Sequence, residues 1–459
     1  MIQDVIAALS TPPGEGGIAI IRLSGPGVIN QVARIFKPHS PGVDIKERPG
    51  YSLTLGHIVD DRGLKIDEVL IGIMRGPKSY TGEDVVEINC HGGILPARRC
   101  LKRVLDCNVR LAEPGEFTKR AFLNGRMDAS QAEAVIDIIR AKTEKGLKVA
   151  LNQLEGTIGK EIGLIEDELI GINAAIEASV DFPDEVEEPD YEELKVRIAN
   201  QIDHMKKLLS SSQRGEIYRD GIKAAIIGKP NVGKSSLLNA LVKQEKAIVT
   251  ELPGTTRDVI EDYINIRGIP VKIMDTAGIR DTKDPVESIG VQRSRQAIEG
   301  ADLIIMVLDV GSGLAREDLE IFKSIEEHKI IILVNKDDLA ERMIKADDIE
   351  KHFYQRTVIW VSVKEGQGLE LLENTIEEMV FSGLLEGEDY EVAFNLRQKR
   401  SMEKGVKSLE DGLNNMGTLP LDCLAVDIGG TLESLGEISG KSLKEDVINR
   451  IFHDFCIGK

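Results

Sequence analysis

Ile222-Lys-Ala-Ala-Ile-Ile-Gly-Lys-Pro-Asn-Val-Gly-Lys-Ser-Ser236 is the stretch that decides the fold. The apolar run Ile222 to Ile227 reads as a buried strand, and it stops at Gly228. Gly-x-x-x-x-Gly-Lys-Ser follows through Ser235, and Ser236-Leu-Leu-Asn-Ala-Leu starts a helix. Strand, glycine-rich turn and helix N-terminus together form a phosphate-binding loop. Asn231, Val232, Gly233, Lys234, Ser235 and Ser236 are its candidate contacts. Gly228 and Gly233 let the backbone turn N–H groups onto a diphosphate, Lys234 reaches the β/γ-phosphates, and the Ser235 hydroxyl can ligate Mg²⁺.

Downstream residues narrow the nucleotide. The polar loop Gly254-Thr-Thr-Arg-Asp258 suits a switch in which a threonine completes the Mg²⁺ shell. A strand, Pro270-Val-Lys-Ile-Met, feeds Asp275-Thr276-Ala277-Gly278, where Asp275 can hold the Mg²⁺ water shell and Gly278 can sense the γ-phosphate. Buried parallel strands are expected at 301–309 and 329–335. The second opens Asn335-Lys336-Asp337-Asp338, and the Asp338 carboxylate can accept from both N1–H and the 2-amino group of guanine. Adenine lacks that donor pair, so GTP is the expected nucleotide. Val358 to Lys364 supplies a last strand and a loop in which Ser362 can brace the base. After Asp275-Thr-Ala-Gly278 the chain carries Ile279, which cannot orient a water, so hydrolysis has to draw on another group. Asn231 can help to place a monovalent cation beside the phosphates.

The chain has 459 residues, 42% hydrophobic and 29% charged, a length that predicts roughly three domains. With no run of eighteen apolar residues and no basic flank at the N-terminus, it reads as cytoplasmic, without a membrane partner. Cys90, Cys100, Cys107, Cys423 and Cys456 are odd in number and lack Cys-x-x-Cys spacing, which speaks against a disulfide framework or a zinc site. The first three read as small buried hydrophobes. The net charge of −19 argues against RNA binding by bulk composition, so a nucleic acid has to be met by a local patch or another subunit.

Residues 1–118 read as an α+β module, with strands at 16–25, 51–59, 68–74 and 84–91 and a helix from Ile94 to Leu105. By pattern alone Arg22 and Glu87 are strand charges facing solvent, and His91 is a lone histidine before Gly92-Gly93. Residues 119–215 read as long antiparallel helices, interrupted by the acidic, proline-broken loop 181–193. Residues 382–459 return to amphipathic segments at 392–413 and 443–455, with Ala425-Val-Asp-Ile-Gly-Gly between them. Neither flank is long enough for its own generous core, which predicts one discontinuous helical domain with the nucleotide domain, 216–381, inserted. Cys456 stands fourth from the end, but the final lysine and the lack of a polybasic run speak against prenylation.

Several motifs resemble the MnmE (TrmE) family of tRNA-modification GTPases over essentially the whole chain. They are Thr11-Pro-Pro-Gly-Glu-Gly-Gly, Tyr80-Thr-Gly-Glu-Asp-Val-Val-Glu, Glu113-Pro-Gly-Glu-Phe-Thr-Lys-Arg-Ala-Phe-Leu-Asn, the Gly254-Thr-Thr-Arg-Asp switch and the final Cys-Ile-Gly-Lys. The resemblance implies an α+β N-terminal folate-binding domain, a discontinuous α-helical domain and an inserted α/β P-loop (Ras-like) GTPase domain. It implies a homodimer built through the N-terminal domain and a tetrahydrofolate derivative, the 5,10-methylene or 5-formyl form, as one-carbon donor. It further implies a heterotetramer with the FAD-dependent partner MnmG (GidA), the FAD entering only through that partner. The joint product is an aminomethyl-type group on C5 of the wobble uridine of certain tRNAs. Folate is assigned to Arg22, Glu87, Arg126 and Lys459, with Arg126 where some relatives carry Lys, and Cys456 is a candidate catalytic thiol. Mg²⁺ is assigned to Ser235 and Thr256, K⁺ to Asn231, Thr250, Leu252 and Thr255, and the catalytic water to Glu287. A ribosome-assembly or RNA-chaperone GTPase shares the nucleotide motifs but usually adds a basic RNA-binding module, where this chain has an acidic balance and the Cys-Ile-Gly-Lys tail.

Overall fold

Alternation along the strands builds two separate sheets. In this computed structural model residues 4–244, 263–274, 298–384 and 392–459 are described. The first sheet contains β1 (Ile6–Leu9), β2 (Ile18–Ser24), β3 (Phe36–Pro38), β4 (Ser52–Val59), β5 (Lys65–Met74), β6 (Val85–His91) and β7 (Arg110–Leu111). Its order is β3-β4-β5-β6-β2-β1-β7, antiparallel except for the β1–β7 pair. Ile21, Leu23, Ile71, Ile73, Val86, Ile88 and Cys90 point to one face, where Ala97, Cys100 and Val104 of the Ile94–Leu105 helix cover them. The other face carries Ile18, Leu53, Leu55 and Leu70, all exposed, with the paired positions Arg22 and Glu87 between them.

Strands β1, β3 and β7 were not legible, each being four residues or fewer. Cys107 is only partly buried, unlike the fully enclosed Cys90 and Cys100. Arg22 and Glu87 depart from the solvent-facing pattern, since their side chains are only 16% and 23% exposed and bond to each other.

The second sheet contains β8 (Ile222–Ile227), β9 (Tyr263–Ile266), β10 (Ile269–Met274), β11 (Leu303–Asp309), β12 (Ile330–Asn335) and β13 (Thr357–Trp360). It runs β13-β12-β11-β8-β10-β9, parallel except for β9. Alternate residues feed two cores: Ala224, Ile226, Ile305, Val307, Ile331 and Leu333 on one side, and Ala225, Ile227, Ile304, Met306, Ile332 and Val334 on the other. Burial on both faces is why these strands read as unbroken apolar runs.

Four long helices form the third body: Thr157–Asp181, Tyr191–Asp220, Leu396–Asn415 and Leu421–Ser439. One core joins Ile162, Ile165 and Leu169 from the first, Ile198 and Met205 from the second, Met402 and Leu409 from the third, and Ile428 and Leu435 from the fourth. The chain thus builds one helical domain from segments before and after the nucleotide domain. Ala425-Val-Asp-Ile-Gly-Gly, placed by the sequence between two amphipathic segments, lies inside the Leu421–Ser439 helix. Its Gly430 faces Ser408 of the neighbouring helix, which a Cβ would approach to 3.2 Å. Close helix packing here overrides the low helix propensity of glycine. Among the described residues no helix is long and apolar enough to cross a membrane.

Candidate functional site

The phosphate-binding loop joins β8 to the Lys234–Gln244 helix. Gly233 adopts φ +104°, and a Cβ there would stand 2.2 Å from Asn335 Nδ2, so glycine is required on both grounds. Asn231 is a non-glycine residue in left-handed backbone, φ 64°. The Lys234 Nζ donates to the carbonyls of Gly228 and Lys229, both at 2.7 Å, and burial draws this ammonium below the usual lysine range. Phosphate oxygens compete for those same donors.

The Asn335-Lys336-Asp337-Asp338 loop is bonded directly to the phosphate loop. Asn335, 3% exposed at the end of β12, donates from Nδ2 to the Val232 carbonyl at 2.9 Å and accepts from the Val363 N–H at 3.2 Å. Lys336, with φ 65°, extends its ammonium to Asp309 Oδ2 at 2.6 Å. The Ser362 hydroxyl donates to Asp338 Oδ1 at 2.6 Å and accepts the Glu365 N–H at 3.2 Å. That hydroxyl holds the Asp338 carboxyl below the usual carboxylate range, keeping it a charged acceptor. Asp309 and Asp318 escaped the sequence reading. Asp309 was visible only as the polar end of an apolar strand, whereas the 1%-exposed Asp318, which accepts Lys229 Nζ at 2.8 Å, had no local signal. Thr250, Leu252, Thr255, Thr256, Asp275, Thr276, Ala277, Gly278, Ile279 and Glu287 lie outside the described residues.

A second cluster gathers on the exposed face of the first sheet. Arg22 Nε donates to Glu87 Oε1 at 2.9 Å, and its Nη1 donates to the Gly458 carbonyl at 3.3 Å. Ser10 Oγ donates to the same carbonyl at 3.1 Å, and the Phe117 N–H to the Lys459 carbonyl at 3.2 Å, so the last residues are sewn onto the N-terminal module. Two guanidinium groups lie near the Tyr80 ring, with Arg22 Cζ 5.3 Å and Arg126 Cζ 5.2 Å from its centre. Arg126 Nη1 also donates to the Tyr80 carbonyl at 2.8 Å. Burial pushes the Lys459 ammonium below the usual lysine range and nearby Arg22 adds to that, opposed by Cys456 and Glu87. Among the described residues this ammonium forms no ion pair. The geometry therefore gathers Arg22, Glu87 and Lys459, with Arg126 at the Tyr80 ring and Cys456 exposed beside them. Tyr80 and Ser10 were missed as participants, although Tyr80 opens a motif the sequence had singled out. The arrangement is a cationic cradle with one carboxylate, suited to an anionic ligand that also offers N–H donors.

Residues 5–126 match the family model described as GTP-binding protein TrmE N-terminus, and residues 130–456 that described as MnmE helical domain. The tRNA modification GTPase MnmE of Syntrophomonas wolfei is 59% identical over 459 residues, 100% of both chains. That of Clostridioides difficile is 47% identical over 460 residues, again 100% of both. A solved structure of Era with MgGDPNP and 16S ribosomal RNA matches 41% of this chain and 66% of its own at 28% identity and a TM-score of 0.28, a likeness too partial to carry an argument. With its N-terminal and helical regions both matched and its full length shared with these relatives, the chain belongs to the MnmE family of tRNA-modification GTPases.

Proposed function

We propose that the chain hydrolyses GTP to drive modification of tRNA, and that the one-carbon chemistry uses the separate cradle on the N-terminal sheet. The observation that carries the first half is the bonded unit Val232–Asn335–Val363 with Ser362 on Asp338, which couples the phosphate loop to the base-reading loop. Asp338 reads guanine, and Lys234 draws charge from the β/γ-phosphates. Ser235 and Thr256 would hold Mg²⁺, which would offset phosphate charge. Asn231, Thr250, Leu252 and Thr255 would hold K⁺, which would supply positive charge that Ile279 cannot. Asn231 fits that role, since its side chain takes no hydrogen bond among the described residues and offers a neutral oxygen. Glu287 orients the water in this reading, while Asp275, Thr276, Ala277 and Gly278 form the γ-phosphate-sensing turn.

The cradle suits a tetrahydrofolate derivative. Glu87 spends one oxygen on Arg22 and keeps the other for the N3–H and 2-amino donors of a pterin. Lys459, Arg22 and Arg126 would meet the anionic glutamate tail, and Cys456 stands as the adjacent thiol. The exposed leucines beside the cradle, Leu53 (63%) and Leu55 (43%), support a homodimer across this face. A heterotetramer with FAD-bearing MnmG, acting at C5 of the wobble uridine, completes the reading. So does a division into 1–118, 119–215, 216–381 and 382–459. Calorimetry of 5-formyl-tetrahydrofolate tests the cradle: Glu87→Ala should weaken binding at least about tenfold, and unaltered affinity would refute the assignment. Hydrolysis should be faster in K⁺ than in Na⁺, and equal rates would remove the cation from the scheme.

A further inference from the structure

We propose that Asp67, Cys90 and Cys100 form a binding site for a thiophilic divalent cation of the zinc class, seated where β5, β6 and the Ile94–Leu105 helix meet. Ten positions separate the two cysteines in sequence, so no short-spaced motif announces them. The fold brings them together because β6 turns at Gly92-Gly93 and the helix runs back over the inner face of the sheet. Cys90 and Cys100 are 2% and 0% exposed, and their sulfurs and an Asp67 oxygen all lie within 4.8 Å of one another. Tetrahedral zinc sites place thiolate and carboxylate ligand atoms roughly 3.5 Å apart, so closing this cluster needs movements of about 1 Å.

The carboxylate is the telling member. Two buried thiols pack adequately as small hydrophobes; the Glu68 and His91 N–H groups, each at 2.9 Å, hold the Asp67 carboxylate near them, where it opposes their ionisation. A cation makes the same juxtaposition favourable. Asp67 is already oriented for it: Oδ2 accepts the His91 N–H at 2.9 Å, and Oδ1 lies 2.7 Å from His91 Nδ1. Such an outer-shell histidine fixes a carboxylate ligand. The Asp67 side chain is 11% exposed and His91 68%, so the cluster opens to solvent on this side alone of its three ligands, giving an ion an entry path. Soft sulfur donors select zinc over the magnesium that serves phosphate. Bound there, the ion staples helix to sheet, and a ligand that binds only the folded form raises its stability.

The test is a titration of the whole reduced chain, first stripped with chelator, with Cd²⁺ as the probe and Zn²⁺ as competitor. The thiolate-to-cadmium charge-transfer absorption should saturate at one ion per chain, Zn²⁺ should abolish it, and either ion should raise the melting temperature. Cys100→Ser should remove much of the absorption. Because that buried change can disturb folding, Asp67→Asn at the rim carries the decision: it should weaken affinity at least about tenfold with GTP hydrolysis unchanged. No saturable absorption would overturn the proposal. So would absorption of undiminished affinity in Asp67→Asn, or a Cys90–Cys100 disulfide formed in air by a chain that takes up no ion once reduced.

Discussion

In the proposed function nucleotide choice rests on the Asp338 carboxylate, which the Ser362 hydroxyl holds in place. Asp338→Asn exchanges one acceptor oxygen for an amide donor, which suits xanthine, whose position 2 carries a carbonyl. GTP affinity should fall about ten- to a hundredfold, from loss of hydrogen bonds to a charged group, while xanthosine triphosphate gains. A competition assay between the two nucleotides reads both changes, and an unchanged preference would remove Asp338 from base recognition. Asp137 gives a residue-scale test of stability. Burial pushes its carboxyl from an ordinary 3.8 up to about 6, with Arg219 opposing and Asp220 and Glu133 adding to the rise. A carboxyl that binds its proton more tightly when folded contributes stability below its ordinary value and loses it as pH rises through 6. Asp137→Asn should therefore match the wild type near about pH 4 and exceed it by about 2 kcal/mol near about pH 8. Denaturant melts at the two pH values decide this, and a variant advantage larger at acid pH would reverse the sign and refute it.

At the scale of elements, the inserted domain leaves and re-enters the helical bundle at a single seam. The Tyr191–Asp220 helix runs into β8, and the returning segment lies against its last turns. Arg219 donates to the carbonyls of Ala393 and Phe394 at 3.0 and 3.1 Å. At Gly215 a Cβ would stand 2.4 Å from the Val392 carbonyl oxygen, so helix and returning segment approach this closely because that position lacks a side chain. Gly215→Ala gains about 1 kcal/mol of helix propensity but forces backbone from backbone. It should cost about 1–3 kcal/mol net, read as a lower denaturation midpoint; a stabilised variant would mean the seam yields freely. What the sequence could show follows from range. The nucleotide motifs are local, each a few residues at a strand end, and the unbroken apolar runs of β8, β11 and β12 are long enough to read. The cradle is not local: the Ser10–Gly458 bond spans 448 positions, and Arg22 and Glu87 are 65 apart on antiparallel strands. Pattern could mark those charges as unusual but could not pair them. Only the family resemblance placed them in one site, and the role of Tyr80, whose ring lies near both Arg22 and Arg126, was legible in neither.

For the whole molecule, a net charge of −19 means that tRNA has to be met by a local patch or another subunit, and the cradle gathers three cations in one place. The two sites stand on different sheets, joined through a helical bundle that neither end of the chain builds alone. That layout suits the proposed division of labour, in which nucleotide turnover moves domains while the modification chemistry takes place elsewhere. The claim is tested most directly by measuring GTP hydrolysis and tRNA modification together, with the proposed flavoprotein partner added, for Glu87→Ala and Lys234→Ala. Glu87→Ala should keep its hydrolysis rate and lose modification, whereas Lys234→Ala should lose both. Normal modification by Glu87→Ala, or modification that survives without hydrolysis in Lys234→Ala, would contradict the account.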